Sequence, residues 1–240
     1  MDVIKRLARV LPVLVFSFVC NSKAMAGNDR ANTVYFGLGY LQNQAQSPAL
    51  SGYNTPPGLH LNVGNASVLG MNLVHSLSGP WSFELDLGVP PTVTTYAYGQ
   101  TWSKLGIAPG TAITKVDVMG PTAFVNYNFS VQDEKWSPFV GVGLNYVIFT
   151  HRHALSSLTN RLGPTKIDLT NSWGPAVHVG LIYRFDKNWS LATTLSYADV
   201  QSDLTSTTYS TVTPGLVTAQ GKTHLNFHPT VLMMGLGYGF

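Results

Sequence analysis

The tightest constraint on this chain is an alternation of period two, plainest over residues 225–240. There Leu232, Met234, Leu236, Tyr238 and Phe240 are interleaved with Gly235, Gly237 and Gly239. Successive side chains of a strand point to opposite faces, so one face of such a segment is bulky and apolar and the other is nearly bare backbone. Left unpaired, a strand of this kind is an edge that invites aggregation, and closure into a barrel removes the edge. A membrane demands the same closure, because every backbone amide in hydrocarbon must find a partner. The pattern predicts a transmembrane barrel with residues 225–240 as its final strand.

Composition agrees with that class. Charged residues make up 10% of the 240, yet mean hydropathy is +0.11. Barrel strands, which mix apolar and polar positions, produce such a middle value. Lys5, Arg6 and Arg9 precede an apolar run, and Ala24-Met25-Ala26 supplies a small-x-small cleavage pattern, so residues 1–26 read as a secretory signal peptide and residues 27–240 as the barrel. Removing that segment takes Lys5, Arg6, Arg9 and Lys23 from the 14 basic residues and Asp2 from the 11 acidic ones, which leaves no net charge. The sequence pI of 8.9 is therefore no argument for a nucleic-acid partner. Cys20, the one cysteine, leaves with the signal, so neither disulfides nor thiol chemistry are expected.

Eight strands are expected over residues 33–41, 67–75, 81–89, 115–129, 136–150, 173–185, 189–199 and 225–240. Residues 81–89 alternate most cleanly, with Trp81, Phe83, Leu85, Leu87 and Val89 against Ser82, Glu84, Asp86 and Gly88. The connections run long, short, long, short, and the long ones (42–66, 90–114, 151–172 and the Ser/Thr-rich stretch before strand eight) read as polar loops. An even strand number with short periplasmic turns and long extracellular loops is the pattern of outer-membrane barrels, with both termini in the periplasm. Trp81, Trp136 and Trp189 each follow a short turn, while Tyr127, Phe129, Tyr183, Phe185, Tyr238 and Phe240 end the descending strands. Together they make an interfacial aromatic belt.

Several stretches resemble the OmpW family of small outer-membrane barrels: FELDLGVP at 83–90, SPFVGVGLNYVIF at 137–149, IDLTNSWGPAVHVGLIY at 167–183 and the aromatic-ended last strand. The resemblance implies an eight-stranded barrel in the bacterial outer membrane, with a narrow passage for small hydrophobic or weakly polar solutes and a sideways exit into the bilayer. The family's proline near that exit maps onto Pro90, here followed by Pro91, so Val89, Pro90 and Pro91 are the expected lateral opening. Proline cannot donate to a ladder, which is how pairing fails and a wall gains a gap. The plainer possibility is that the two prolines merely end strand three.

An eight-stranded barrel is only wide enough for side chains or one small ligand. By parity Tyr35, Gly37, Gly39, Asp86, Phe124, Phe139, Gly141, Gly143, His178, Ser196, Gly235 and Gly237 line the lumen. The glycines either leave room for a solute or are covered by Tyr35, Phe124 and Phe139. Glu84 and Arg184, paired, would make a polar floor near the periplasmic end and favour lateral exit. Asp86 and Ser196 argue against a purely alkane-like solute. His151 and His153 share a face and could meet His224 or His228 around a metal, yet no third ligand is fixed, so no catalytic residue, cofactor or metal is assigned. Outer-membrane lipid, a small hydrophobic solute and, through the last strand, the barrel-assembly machinery are the expected partners of a monomer. The alternative function is a passive structural or adhesion barrel whose loops bind host, phage or other molecules.

Overall fold

A computed structural model describes residues 31–43 and 46–240; the expected signal peptide lies outside them. In chain order its elements are β1 (Asn32–Gln42), β2 (His60–Val63), β3 (Ala66–Ser76), β4 (Trp81–Val89), β5 (Thr92–Tyr98), α1 (Thr101–Lys104), β6 (Ala112–Met119), β7 (Thr122–Asn128), β8 (Trp136–Ala154), α2 (Ser156–Leu162), β9 (Thr165–Leu169), β10 (Ser172–Arg184), β11 (Trp189–Ala198), β12 (Gln201–Tyr209), β13 (Val217–Asn226) and β14 (Thr230–Gly239).

Eight of these strands close a ring in the order β1-β3-β4-β7-β8-β10-β11-β14, each antiparallel to its neighbours. The seam is β1 on β14, from Thr33↔Gly239 to Gln42↔Thr230. Closure satisfies the ladder that a bilayer would otherwise leave open. The barrel is apolar on the outside: Leu38 is 70% exposed, Val142 65% and Leu144 60%, while Tyr35, Phe124 and Phe139 on the opposite parity are buried. The predicted facing of every membrane strand follows directly, since period two specifies face before any tertiary contact is known.

The chain's main buried apolar cluster lies beyond the long-connection end. It joins Leu59, Leu61, Trp102, Ile113, Leu158 and Leu204, among others. Here each expected polar loop carries some strand, and the last of them, before β14, is mostly strand. β5 and β2 extend the wall from β6 and the upper part of β8, and β9, β12 and β13 form a separate three-stranded sheet. The Ser/Thr content of 201–209 pointed to a loop, but threonine fits a pleated surface well. It also begins with the period of a strand, buried Ser202 and Leu204 alternating with exposed Gln201 and Asp203.

Expected strand four is also split. β6 and β7 hold one register on β8, Met119↔Ile148 and Thr122↔Asn145, but part at Gly120-Pro121, where proline has no N–H to give.

Candidate functional site

That split faces a second one. β4 pairs with β7 from Trp81↔Tyr127 to Asp86↔Thr122, and pairing resumes between β5 and β6 at Thr92↔Asp117. Six steps along one edge meet five along the other, so the two ladders are out of register by one residue. Between them, Val118 N–H donates to the Pro91 carbonyl at 3.0 Å. Pro90 and Pro91 on one edge and Pro121 on the other cannot donate. β3 secures the far side of β4 through Gly70↔Gly88 and Leu69↔Val89, so the interruption is confined to the β4/β7 seam. Val89 is 59% exposed at its margin.

A cavity of about 190 Å³ lies behind this interruption. Leu87, Gly88, Val89 and Pro91 line it from one edge, and Met119 and Gly120 from the other. Phe149 and Phe227, ring centroids 5.8 Å apart, belong to its upper part, and Phe124 to its lower part. A second cavity of about 350 Å³ occupies the extramembrane part, against Leu59, Trp102 and Ile113. On β12 and β13 the buried Ser202 and Leu225 fall between residues of the upper cavity (Leu204, Gly221) and of the lower one (Val200, Phe227).

Below the 190 Å³ cavity the barrel is filled. His178 stacks on Phe124, centroids 3.7 Å apart, and meets Phe139 edge-on at 5.2 Å. Its Nε2 lies 2.7 Å from Asn126 Oδ1, and Asn126 Nδ2 donates to Glu84 Oε2 at 2.6 Å. Asn72 Nδ2 donates to Glu84 Oε1 at 3.0 Å and also to Asp86 Oδ1. The inward Glu84 and Asp86 carboxylates are thus met by amide donors, as a low-dielectric interior requires, while His178 Nδ1 is buried with no hydrogen-bond partner among the described residues. A residual void of about 20 Å³ remains near Tyr35, Ser82 and Gly235. Asn72 and Met233 border both this void and the large cavity.

The floor differs from the expected Glu84–Arg184 pair. Glu84 is 3% exposed, with Asn72, Asn126 and, at 3.9 Å, His178 as partners. Arg184 sits exposed at the rim, where its guanidinium donates to the Glu134 carbonyl. A long cation is more cheaply kept in water than drawn down beside a carboxylate already satisfied by neutral amides.

The glycines also differ from open lumen. A Cβ on Gly237 would stand 2.3 Å from the Tyr35 ring, one on Gly143 2.6 Å from Phe124, and one on Gly141 2.4 Å from His178. Tyr35 is fixed there by Ser190, whose Oγ donates to its hydroxyl at 3.1 Å. Gly37 and Gly39 meet the backbone of β14 instead. Of the twelve residues expected to line the lumen, Asp86, Phe124 and Ser196 border the large cavity, and Tyr35, Phe139 and Gly235 border the small void. His178 and the other five glycines are packed into wall or plug. Sequence reading missed Asn145, Met119, Gly120 and Met233 as cavity residues. The proline inside strand four was the available signal for Met119 and Gly120.

At the short-turn end the aromatic residues meet across strands. Trp81 contacts Tyr127 at 5.2 Å, Trp136 contacts Tyr183 at 4.6 Å and Trp189 contacts Tyr238 at 5.1 Å, with Phe240 beside them 41% exposed. A second ring, not anticipated, stands at the other end. Tyr146 stacks on Trp173 at 4.3 Å, and Tyr40, Tyr146 and Tyr197 turn their hydroxyls to Asn65, Asn171 and His228. From Trp136 to Tyr146, at about 3.3 Å per residue and about 40° of tilt, the rise is roughly 25 Å, the height of an outer-membrane apolar band.

Glu84, Asp86 and His178 form the one described group of three able to offer ligand atoms to a metal, these atoms lying within 4.8 Å of one another. Glu84 and His178 Nε2 are already engaged by Asn72 and Asn126. His151, His224 and His228 are drawn to separate partners, Asp117, Asp203 and Asp199, and not to one another.

A closed eight-stranded barrel, greasy outside, ringed by aromatics and with short turns at one end only, is an outer-membrane β-barrel, and its short turns mark the periplasmic end. Comparison with known proteins gives the family. The OmpW family model matches residues 35–240, and the chain belongs to that family of the bacterial outer membrane. Outer membrane protein W of Vibrio cholerae is 29% identical over 181 residues, 75% of this chain and 76% of that one. Outer membrane protein AlkL of Ectopseudomonas oleovorans is 25% identical over 186 residues, 77% of this chain and 70% of its own. In fold, the crystal structure of OprG from Pseudomonas aeruginosa superposes with a TM-score of 0.74 at 18% identity, covering 88% of this chain and 97% of that one.

Proposed function

We propose that the barrel takes up small apolar or weakly polar molecules from outside and releases them sideways into the bilayer through the interruption between β4 and β7. The observation that carries this reading is that both edges of the interruption are walls of the 190 Å³ cavity. That volume exceeds the roughly 150 Å³ of an engineered apolar cavity that holds benzene. The plug of Phe124, Phe139 and His178 below it supports a sideways route over a straight one. Gly88 rises roughly 18 Å above Trp81 at about 3.3 Å per residue and about 40° of tilt, which sets the interruption within the apolar band. A solute leaving there meets acyl chains before water.

The test is uptake of an apolar fluorescent probe by cells without the protein, with it, and with Gly120→Trp, which puts a bulky ring where Gly120 lines both cavity and seam. Uptake should rise with the protein and fall back with the variant. Equal uptake in all three would overturn the reading and leave the barrel a structural or adhesion scaffold.

A further inference from the structure

The 350 Å³ cavity at the extracellular end has a chemistry of its own. Leu59, Trp102, Ile113 and Leu158 give it apolar walls. The polar edge of the Trp102 indole is already engaged, with Nε1 donating to the His60 carbonyl at 2.8 Å. Among the described residues that line the cavity, Arg161 is the one that carries a charge. The other polar lining groups are neutral hydroxyls and the Asn54 amide.

Two short helices set Arg161 at the rim. It stands in the last turn of α2, and Leu158 and Leu162 of the same helix line the cavity. Its side chain reaches the turn after α1, where Cδ, Nε and a terminal nitrogen lie 3.6 Å from the place of a Cβ on Gly106. Leu105, next to that glycine, lines the cavity too. Arg161 is exposed, so its guanidinium is open to a molecule arriving from outside. No hydrogen bond or ion pair among the described residues engages it. The acidic residues described at this end, Asp117, Asp168, Asp199 and Asp203, are drawn to His151, Lys166, His228 and His224. None of the four lines the cavity.

We propose that this cavity is a binding site for amphipathic monocarboxylates, aromatic or of medium chain length, with Arg161 holding the carboxylate at the rim and the apolar body lying against Trp102 and Leu158. A guanidinium offers two parallel N–H donors that match a carboxylate. The volume is more than twice the roughly 150 Å³ of an engineered apolar cavity that holds benzene. Neither part suffices alone: an exposed ion pair contributes little, and an apolar ring by itself leaves the cation without a partner. One molecule carrying both satisfies both. Binding here requires no release through the β4/β7 interruption, so the inference stands apart from the uptake reading.

The test is equilibrium dialysis of 2-naphthoate and of its neutral analogue 2-naphthamide against the full chain in nanodiscs of zwitterionic lipid, corrected for protein-free discs. Saturable binding of 2-naphthoate should be about tenfold tighter than that of the amide, the factor that a hydrogen bond to a charged group supplies. Arg161→Gln should bring the two affinities together, and acetate at the same concentrations should leave 2-naphthoate bound. Equal affinities for the unaltered protein, or no saturable binding of either probe, overturn the inference. Displacement by acetate as effective as by 2-naphthoate itself would reduce the site to a surface anion contact and overturn it as well. So would a preference for 2-naphthoate that survives Arg161→Gln. The comparison of the two probes is made on the unaltered protein and does not depend on how the variant folds.

Discussion

The imidazole of His178 lies flat on the ring of Phe124, planes 7° from parallel, and each ring covers a glycine of β8, His178 over Gly141 and Phe124 over Gly143. Small residues in the wall and large ones leaning from neighbouring strands thus compose a single plug. Glu84, Asn126 and Asn72 tie it to β4, β7 and β3 by hydrogen bonds.

If this plug closes the straight route, Phe124→Ala should raise small-ion conductance in planar bilayers. Truncating a buried aromatic costs about 3–5 kcal/mol, so conductance is read on the folded fraction. Arg184→Ala should leave the trace unchanged, since its guanidinium is bound at the rim to Glu134. A silent Phe124→Ala channel would locate the seal elsewhere.

Gly237→Val should damage the barrel itself. The Tyr35 ring occupies the place of any added Cβ, and displacing it breaks the bond to Ser190. Overpacking of this kind costs about 1–3 kcal/mol, readable as a lower urea midpoint for the folded form in lipid vesicles. Because Gly237 borders neither cavity, probe uptake per folded barrel should stay as it was. An unchanged midpoint with lost uptake would mean that the seam glycines do line an open lumen.

Stability should carry a pH signature from the Phe185–Asn188 turn. Asp186 Oδ1 accepts the backbone N–H groups of Asn188 and Trp189, both at 2.8 Å, and these bonds hold its carboxyl below the usual carboxylate range. A carboxyl depressed on folding stabilises above its unfolded pKa, about 3.9, and the contribution fades as pH falls through the lower folded value. Asp186→Ala should therefore lower the urea midpoint at neutral pH, with the gap to the unaltered protein narrowing below about pH 4. Asp186 itself is fully exposed, so the effect is small. A gap constant from pH 7 to 3 would show that the carboxylate contributes no charge-dependent stability.

The parts of this account legible in the sequence are those that depend on period and punctuation. β4 and β8 were readable residue by residue because alternate positions report their face without reference to any partner. Pro90 and Pro91 marked a place where pairing fails, since the missing N–H is a property of the residue. In the Ser/Thr-rich connection composition points to a loop, whereas the buried–exposed alternation at Gln201–Leu204 is that of a strand. Glu84 and Arg184 were matched by parity alone, which cannot tell a buried carboxylate from a cation at a wet rim.

Sequence by itself therefore determined a barrel of eight strands, which face of each is wet, which is greasy, and where the aromatic girdle of the periplasmic end stands. Only the tertiary structure decided what the inside is. Whether Gly237 is open space or the seat of Tyr35 depends on how far a ring leans across from β1, and whether strand pairing is interrupted beside the prolines that follow β4 depends on Gly120-Pro121 breaking the strand opposite. Facing is a local property fixed by the backbone period, whereas filling and pairing are relations between residues distant in the chain, settled only when the ring closes.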